Sequence, residues 1–166
     1  MIQFQFAEAQ QPLAYKEQGF SSHSGSPYLT LYRAEPLDRI ALIRQGLPAT
    51  EAKAILDDLS LGQDMGLRAL GLSVATVNKK AKTGDRLSVD ESERVIGFAR
   101  LVGQVEAMVA ESGDGSSFDS HLWLGRWLTE PLPALGHRRP ADLVDTMAGQ
   151  ALVSTALAQM QSSAYA

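Results

Sequence analysis

The chain has 166 residues, enough for a substantial core and, by size, for one domain with an appendage rather than two full domains. It contains no cysteine, which excludes a disulfide framework, a thiolate zinc site and a cysteine nucleophile, and no apolar run approaches the roughly twenty residues of a membrane span. The net charge of −4 argues against a protein dominated by nucleic acid, yet residues 60–90 carry five Lys/Arg against three Asp/Glu while both flanking stretches are acidic.

Residues 1–35 read as an N-terminal arm. Ile2, Phe4 and Phe6 alternate with glutamines in strand fashion, Gln10, Gln11 and Pro12 break the pattern, and 21–27 has linker composition. Residues 28–32 fit a short strand. The N-terminus lacks a basic region followed by an apolar one, so no signal peptide is indicated and the cytoplasm is the expected location. A helix is expected over 36–45, with Leu37, Ile40, Ala41 and Ile43 or Arg44 on successive turns and Gly46 at its end. A second, over 48–59, is apolar at Ala52, Ile55, Leu56 and Leu59, and is placed to brace the helix-turn-helix after it.

Residues 60–91 are the best punctuated stretch. Gly71, Leu72 and Ser73 interrupt two short apolar-periodic segments, the signature of a helix-turn-helix. Ser60 with Gln63 has the form of a capping box for the first helix; Ser73 suits the cap of the second, and Gly84 its stop. Ser88 with Glu91 makes another box, reinforced by Asp90 in the positive first turn. At about 100° per residue, Val74, Val77 and Ala81 fall on the inward side of the second helix. Ala75, Lys79 and Lys82 fall opposite, with Thr76, Asn78 and Lys80 on the flanks. Lysines there suit phosphates, and Asn78, the only asparagine, suits an adenine edge; the same pattern also describes a plain solvated face.

From 89 to about 111 the pattern is helical, with Val95, Phe98, Ala99, Val102, Val105, Met108 and Val109 at alternating spacings of three and four. Gly97 and Gly103 within it imply a close packing partner, either this chain's own core or a second copy. Residues 113–118 form a Gly/Ser/Asp connector without the lysine of a phosphate loop or the carboxylate spacing of a calcium loop. Asp119 or Ser120 opens a helix bearing Leu122, Trp123, Trp127 and Leu128, which Pro131 ends. Pro140 suits the first position of a short helix. Thr146 suits the cap of the last one, in which Ala148, Leu152, Ala156 and Met160 make one side and Val153 and Leu157 broaden it. Arg138 and Arg139 beside His137 either hold an anionic group of a partner or pack on Trp123 or Trp127 and tie the loop to Asp142 or Asp145.

Nothing in the chain nominates chemistry. There is no nucleotide-binding Gly-rich loop, no GxSxG elbow and no HExxH helix, and the adjacent Asp57 and Asp58 point different ways on a helix. His23, His121 and His137 are isolated, so no metal, no cofactor and no enzymatic role is expected.

These residues together closely resemble the Xre/MbcA/ParS antitoxins, over 37–166. The resemblance is carried by LGLS before a short basic helix, LSVDESERV opening a long one, WLTEPLPALGHRRPADLVDT, and the terminal run from Met160 to Ala166. Its most specific part is 127–146, where Leu128, Pro131, Pro133, Leu135, Gly136, Arg139, Pro140, Leu143 and Thr146 stand where the family has the same residue types. The resemblance implies a mainly α fold: an arm (1–35), an Xre-like helix-turn-helix and dimerisation domain (36–112) and a helical C-terminal toxin-binding domain (113–166). It implies an antitoxin that covers the active site of an NAD-consuming RES toxin and represses its own operon, as a homodimer and within a larger toxin–antitoxin complex. DNA contact then falls to Ala75, Thr76, Asn78, Lys79, Lys80 and Lys82, and toxin contact to Arg138, Arg139, Gln159, Met160, Gln161, Tyr165 and Ala166.

The chain departs from the family in three places, one of them midway along the first helix of the helix-turn-helix, where Gly66 and Leu67 replace the usual apolar residue followed by a small one. Gln159, Met160, Gln161 and Ser163 replace the usual Arg-Ile-Glu and glycine of the tail, so the family's charge pairs do not carry over. Val74 and Ala75 stand where arginines are common after the turn serine, so DNA binding is expected to need more than one copy. The alternative reading is a stand-alone helix-turn-helix regulator whose C-terminal domain only dimerises or senses a ligand.

Overall fold

The computed structural model describes residues 2–4, 26–113 and 117–164. Among these the chain is mainly α, with no strand and two isolated β-bridges, Pro48 with Arg86 and Leu132 with Arg138. The helices are α1 (Pro27–Arg33), α2 (Pro36–Gln45), α3 (Ala49–Asp58), α4 (Gln63–Ala69), α5 (Val74–Thr83), α6 (Val89–Ser112), α7 (Ser120–Trp127) and α8 (Met147–Ala164). Short 3-10 turns at Pro133–Leu135 and Pro140–Asp142 lie between α7 and α8. No helix is long and apolar enough to cross a membrane.

The spine is α6. Ser88 accepts from the Glu91 amide at 3.2 Å while Glu91 Oε2 accepts from the Ser88 amide at 2.8 Å, so the expected capping box is complete. Val95, Phe98, Ala99, Val102 and Val105 are all buried, covered by α1, α2, α7 and α8 of the same chain. The helix therefore serves this chain's own core along its middle. Each glycine in it has a neighbour that a methyl group would displace: a Cβ on Gly103 would lie 2.1 Å from the Tyr28 carbonyl oxygen, and one on Gly97 the same distance from Gln150 Oε1.

That approach at Gly103 explains a correction. Residues 28–32 belong to a helix, not a strand: Ser26 Oγ accepts from the Tyr28 amide, Pro27 takes the first turn, and Tyr28 and Leu31, three apart, are buried against α6. Ile2 and Phe4 pack on the core without forming a strand, Phe4 meeting the Tyr28 ring edge-on at 6.4 Å, and Phe6 lies outside the described residues.

Three further expectations change. Ser60 does not cap α4; it sits at φ 55°, and Gly62 holds the cap position without a side-chain bond. Gln63 instead donates to Asp57 at 2.6 Å, tying α4 back to α3. On α2 the buried residue is Leu42, while Leu37 is 78% exposed. On α8 the buried side is Gln150, Val153, Ala156 and Leu157, whereas Ala148, Leu152 and Met160 face outward. The buried amide is the reason: Gln150 Nε2 donates to the Arg94 and Val144 carbonyls, both at 2.9 Å, and fixes the helix rotation accordingly.

Candidate functional site

The first candidate surface is the helix-turn-helix. Gly71 takes φ 65° at the turn, its amide donating to the Arg68 carbonyl at 2.9 Å, and Leu72 is buried beneath. Arg94, from the second turn of α6, donates to both the Leu70 and Gly71 carbonyls at 3.0 Å, so the turn is held by the spine. Ser73 caps α5 through the Thr76 amide, and Gly84 ends it at φ 72°. Helix α3 packs on both α4 and α5, as its apolar face at Ala52, Ile55, Leu56 and Leu59 requires.

With Val77 fully buried, the face of α5 is fixed. Ala75, Thr76, Lys79 and Lys82 are exposed on one side, the Thr76 hydroxyl donating to Ser73 Oγ at 3.0 Å. The other two candidates are engaged inside the chain. Asn78 Oδ1 accepts from Lys53 Nζ at 2.8 Å, and Lys80 Nζ pairs with Glu91 Oε2 at 2.7 Å. Burial works to raise the Glu91 pKa, but the Lys80 and Ser88 hydrogen bonds outweigh it and hold this carboxyl below its ordinary value. The outward cations of α5 are thus Lys79 and Lys82, while Lys80 links α5 to the N-terminus of α6.

The second surface is the C-terminal unit. Asp119 caps α7 by accepting from the Leu122 amide at 2.9 Å, and a Cβ on Gly125 would lie 2.3 Å from the Leu59 carbonyl oxygen, so α7 lies hard against the end of α3. Trp123 and Trp127 stack at 5.9 Å, and Phe118 leans on Trp123 at 6.0 Å. The connector is self-tied: the Leu132 amide donates to Arg138 O at 3.0 Å, and the Arg139 guanidinium forks onto Asp142 at 3.0 and 2.7 Å. Of the two readings of this basic cluster, the tie to Asp142 is the one the geometry contains for Arg139, which is still exposed; Arg138 is exposed beside it. Thr146 accepts from the Gly149 amide at 3.0 Å and caps α8 as expected.

At the far end of α8, Met160 and Gln161 join Val105, Met108, Val109, Phe118 and Trp123 around an apolar groove of about 240 Å³. Gln161 Nε2 donates to Glu111 at 2.8 Å and Gln159 is exposed; Tyr165 and Ala166 lie outside the described residues. Among the described residues no hydrogen bond or ion pair joins Arg138 or Arg139 to 159–161. Sequence reasoning missed the groove because Phe118 sat in a connector and Met160 was assigned to the packed side of α8. It also missed the polar ties that organise the unit. Tyr28 donates to Asp58 at 2.6 Å, and His121 Nε2 pairs with Glu106 at 2.7 Å, with the Tyr28 and His121 rings edge-on at 5.1 Å. The Glu106 hydrogen bond raises the His121 pKa against the opposing effect of burial.

Comparison with known proteins agrees with this division. Residues 38–100 match the model of the antitoxin Xre-like helix-turn-helix domain, and residues 117–162 that of the antitoxin Xre/MbcA/ParS C-terminal toxin-binding domain. The chain is 51% identical, over 156 residues, to the Prs ADP-ribosylating antitoxin of Sphingobium sp. (strain YBL2), a match covering 92% of this chain and 96% of the relative. It is 24% identical over 131 residues to the antitoxin Xre of Photorhabdus laumondii, covering 79% and 76% of the two chains. Against the antitoxin Xre of Yersinia enterocolitica it is 24% identical over 121 residues, covering 63% and 76%. The chain belongs to the Xre/MbcA/ParS antitoxins: it is a helix-turn-helix antitoxin with a toxin-binding C-terminal domain, and not an enzyme.

Proposed function

We propose that this antitoxin neutralises a RES toxin by seating its C-terminal unit over the toxin's NAD-binding cleft, and that its helix-turn-helix places the same molecule on its own promoter. The observation that carries the reading is the open apolar groove between α6, α7 and α8, rimmed by exposed Phe118 and Met160 inside the stretch matched to a toxin-binding domain. An apolar groove rimmed by exposed large side chains, within the stretch matched to a toxin-binding domain, suits an apolar side chain of a protein partner. The name of the Sphingobium relative points the same way, because ADP-ribosylation draws its ADP-ribose from NAD.

In this reading Gln159, Met160, Gln161, Tyr165 and Ala166 enter the toxin interface, with Arg138 and Arg139 as a second, charged contact. The chain contributes no chemistry; it excludes substrate. Promoter binding falls to Ala75, Thr76, Lys79 and Lys82, with two copies on half-sites about one helical turn apart supplying what one short basic face does not. Asn78 Oδ1 and Lys80 Nζ meet DNA only in competition with their bonds to Lys53 and Glu91.

The test is deletion of 159–166 in cells that express the toxin of the neighbouring reading frame. The truncated chain keeps Val153, Ala156 and Leu157 in the core, so it is expected to fold and to leave the cells unprotected. Full protection by the folded, truncated chain would remove this assignment.

A further inference from the structure

A second cavity, of about 270 Å³, lies between α1, α6 and α8, lined among others by Tyr32, Arg100, Gln104, Met147, Gln150 and Ser154. It shares no lining residue with the apolar groove and lies away from the outward face of α5. Its polarity is built in. Gln104 and Ser154 satisfy each other, Ser154 Oγ donating to Gln104 Oε1 at 2.7 Å and Gln104 Nε2 to the Ser154 carbonyl at 2.9 Å. Gln150 and Arg100 are not so matched.

Gln150 is only 4% exposed, and its Nε2 already serves the carbonyls of Arg94 and Val144. Those two acceptors fix the amide's orientation, because the flipped amide would set oxygen against oxygen. Oε1 is therefore turned toward Gly97, and it is buried with no donor to accept from. Arg100 Nε is likewise buried without a partner. Burial, and after it the nearby Arg39, both lower the Arg100 pKa, and no ion pair of Arg100 forms among the described residues. One wall thus carries a cation without an ion-pair partner, and the floor an unused acceptor that is covered, beside Gly97, until Met147 moves. An apolar guest would leave both unmet, and a cation would be repelled by Arg100, the arginine of the lining.

We propose that this cavity binds a small organic anion that also carries a hydrogen-bond donor, either a phosphate monoester or a hydroxycarboxylate, with its anionic group on Arg100 and its hydroxyl on Gln150 Oε1. Met147 is the movable cover: it is exposed, flexible, and its Cε lies 3.0 Å from the same Gly97 Cβ position that Oε1 crowds. Because the cavity is shared by α1, the spine and the first half of α8, the bound anion fastens the toxin-facing helix to the rest of the molecule. This inference does not depend on which toxin the protein meets.

The test titrates the full chain with glycerol 3-phosphate, citrate and inorganic phosphate, each against sodium chloride at equal ionic strength. Thermal melting and amide NMR shifts are the readouts. The expected result is a saturable rise in Tm, about 8 °C at a hundredfold excess over Kd, with glycerol 3-phosphate or with citrate. Which of the two gives it identifies the anionic group. Shifts should gather at residues 97–104 and 147–154. Two variants should abolish the rise while keeping the ligand-free Tm: Arg100→Gln removes the charge, and Ala151→Trp fills the cavity from an exposed lining position. The inference is overturned if no probe gives a saturable rise, if the rise merely follows ionic strength, or if Arg100→Gln responds as fully as the natural chain.

Discussion

Arg94 shows how little of a residue's role is visible in its sequence neighbourhood. It stands on an acidic stretch of α6 as one more helix cation, yet its guanidinium closes two carbonyls of a turn twenty-three and twenty-four positions earlier. Gly103 is the opposite case, since a glycine inside a long apolar helix already demands a close neighbour, and α1 proves to be that neighbour. Gly103→Ala is expected to push α1 off the spine and to cost about 1–3 kcal/mol in chemical unfolding; an unchanged midpoint would mean that α1 is not docked there. His121 gives a pH dependence with a definite sign. Its folded-state pKa is raised, chiefly by the Glu106 hydrogen bond, so its stabilisation is complete below the ordinary value of 6.5 and is lost as pH rises through the higher folded value. The Tm of the natural chain should therefore fall across that window relative to His121→Gln, whose amide does not titrate. Parallel profiles for the two would contradict the pairing.

At the scale of elements, the legible parts were those whose signals are local. Ser73, Gly84, Ser88 and Glu91 mark the ends of α5 and the start of α6 through bonds to residues within four positions, and the structure contains each of them. The features that escaped depended on distant partners. The rotation of α8 is set by Gln150 reaching Arg94, fifty-six residues away, so apolar spacing alone chose a face that includes Leu152 and Met160, both of which are exposed. Residues 28–32, read as a strand, form α1 because Ser26 caps it and α6 offers Gly103. For α5 the structure sharpens the six DNA candidates by separating Lys79 and Lys82 from Lys80 and Asn78. Lys79→Ala with Lys82→Ala should weaken operator binding and lower the salt slope by roughly 2, without lowering stability. Lys80→Ala should reduce stability modestly, by about 0–1 kcal/mol, because it unlinks Glu91 in a partly exposed pair. Unchanged operator affinity for the double variant at moderate salt would move the DNA surface off α5.

On the scale of the whole molecule, one helix serves both ends of the antitoxin. The start of α6 holds the helix-turn-helix turn through Arg94 and α5 through Glu91, and its later turns form the floor of the apolar groove through Val105, Met108 and Val109. The fold was broadly legible because helix-turn-helix and tail each have compact sequence signatures. The groove was not, because it is assembled from α6, α7 and α8, whose separation along the chain conceals their meeting. The most direct measurement is NAD turnover by the purified toxin of the neighbouring reading frame, titrated with the full chain and with Met160→Glu. Toxin occlusion by the C-terminal unit requires that the full chain suppress turnover and that Met160→Glu, which sets a charge in the apolar groove, inhibit at least about tenfold more weakly, a difference of roughly 1.4 kcal/mol. Undiminished NAD turnover at saturating full chain, or equal inhibition by the variant, would contradict it.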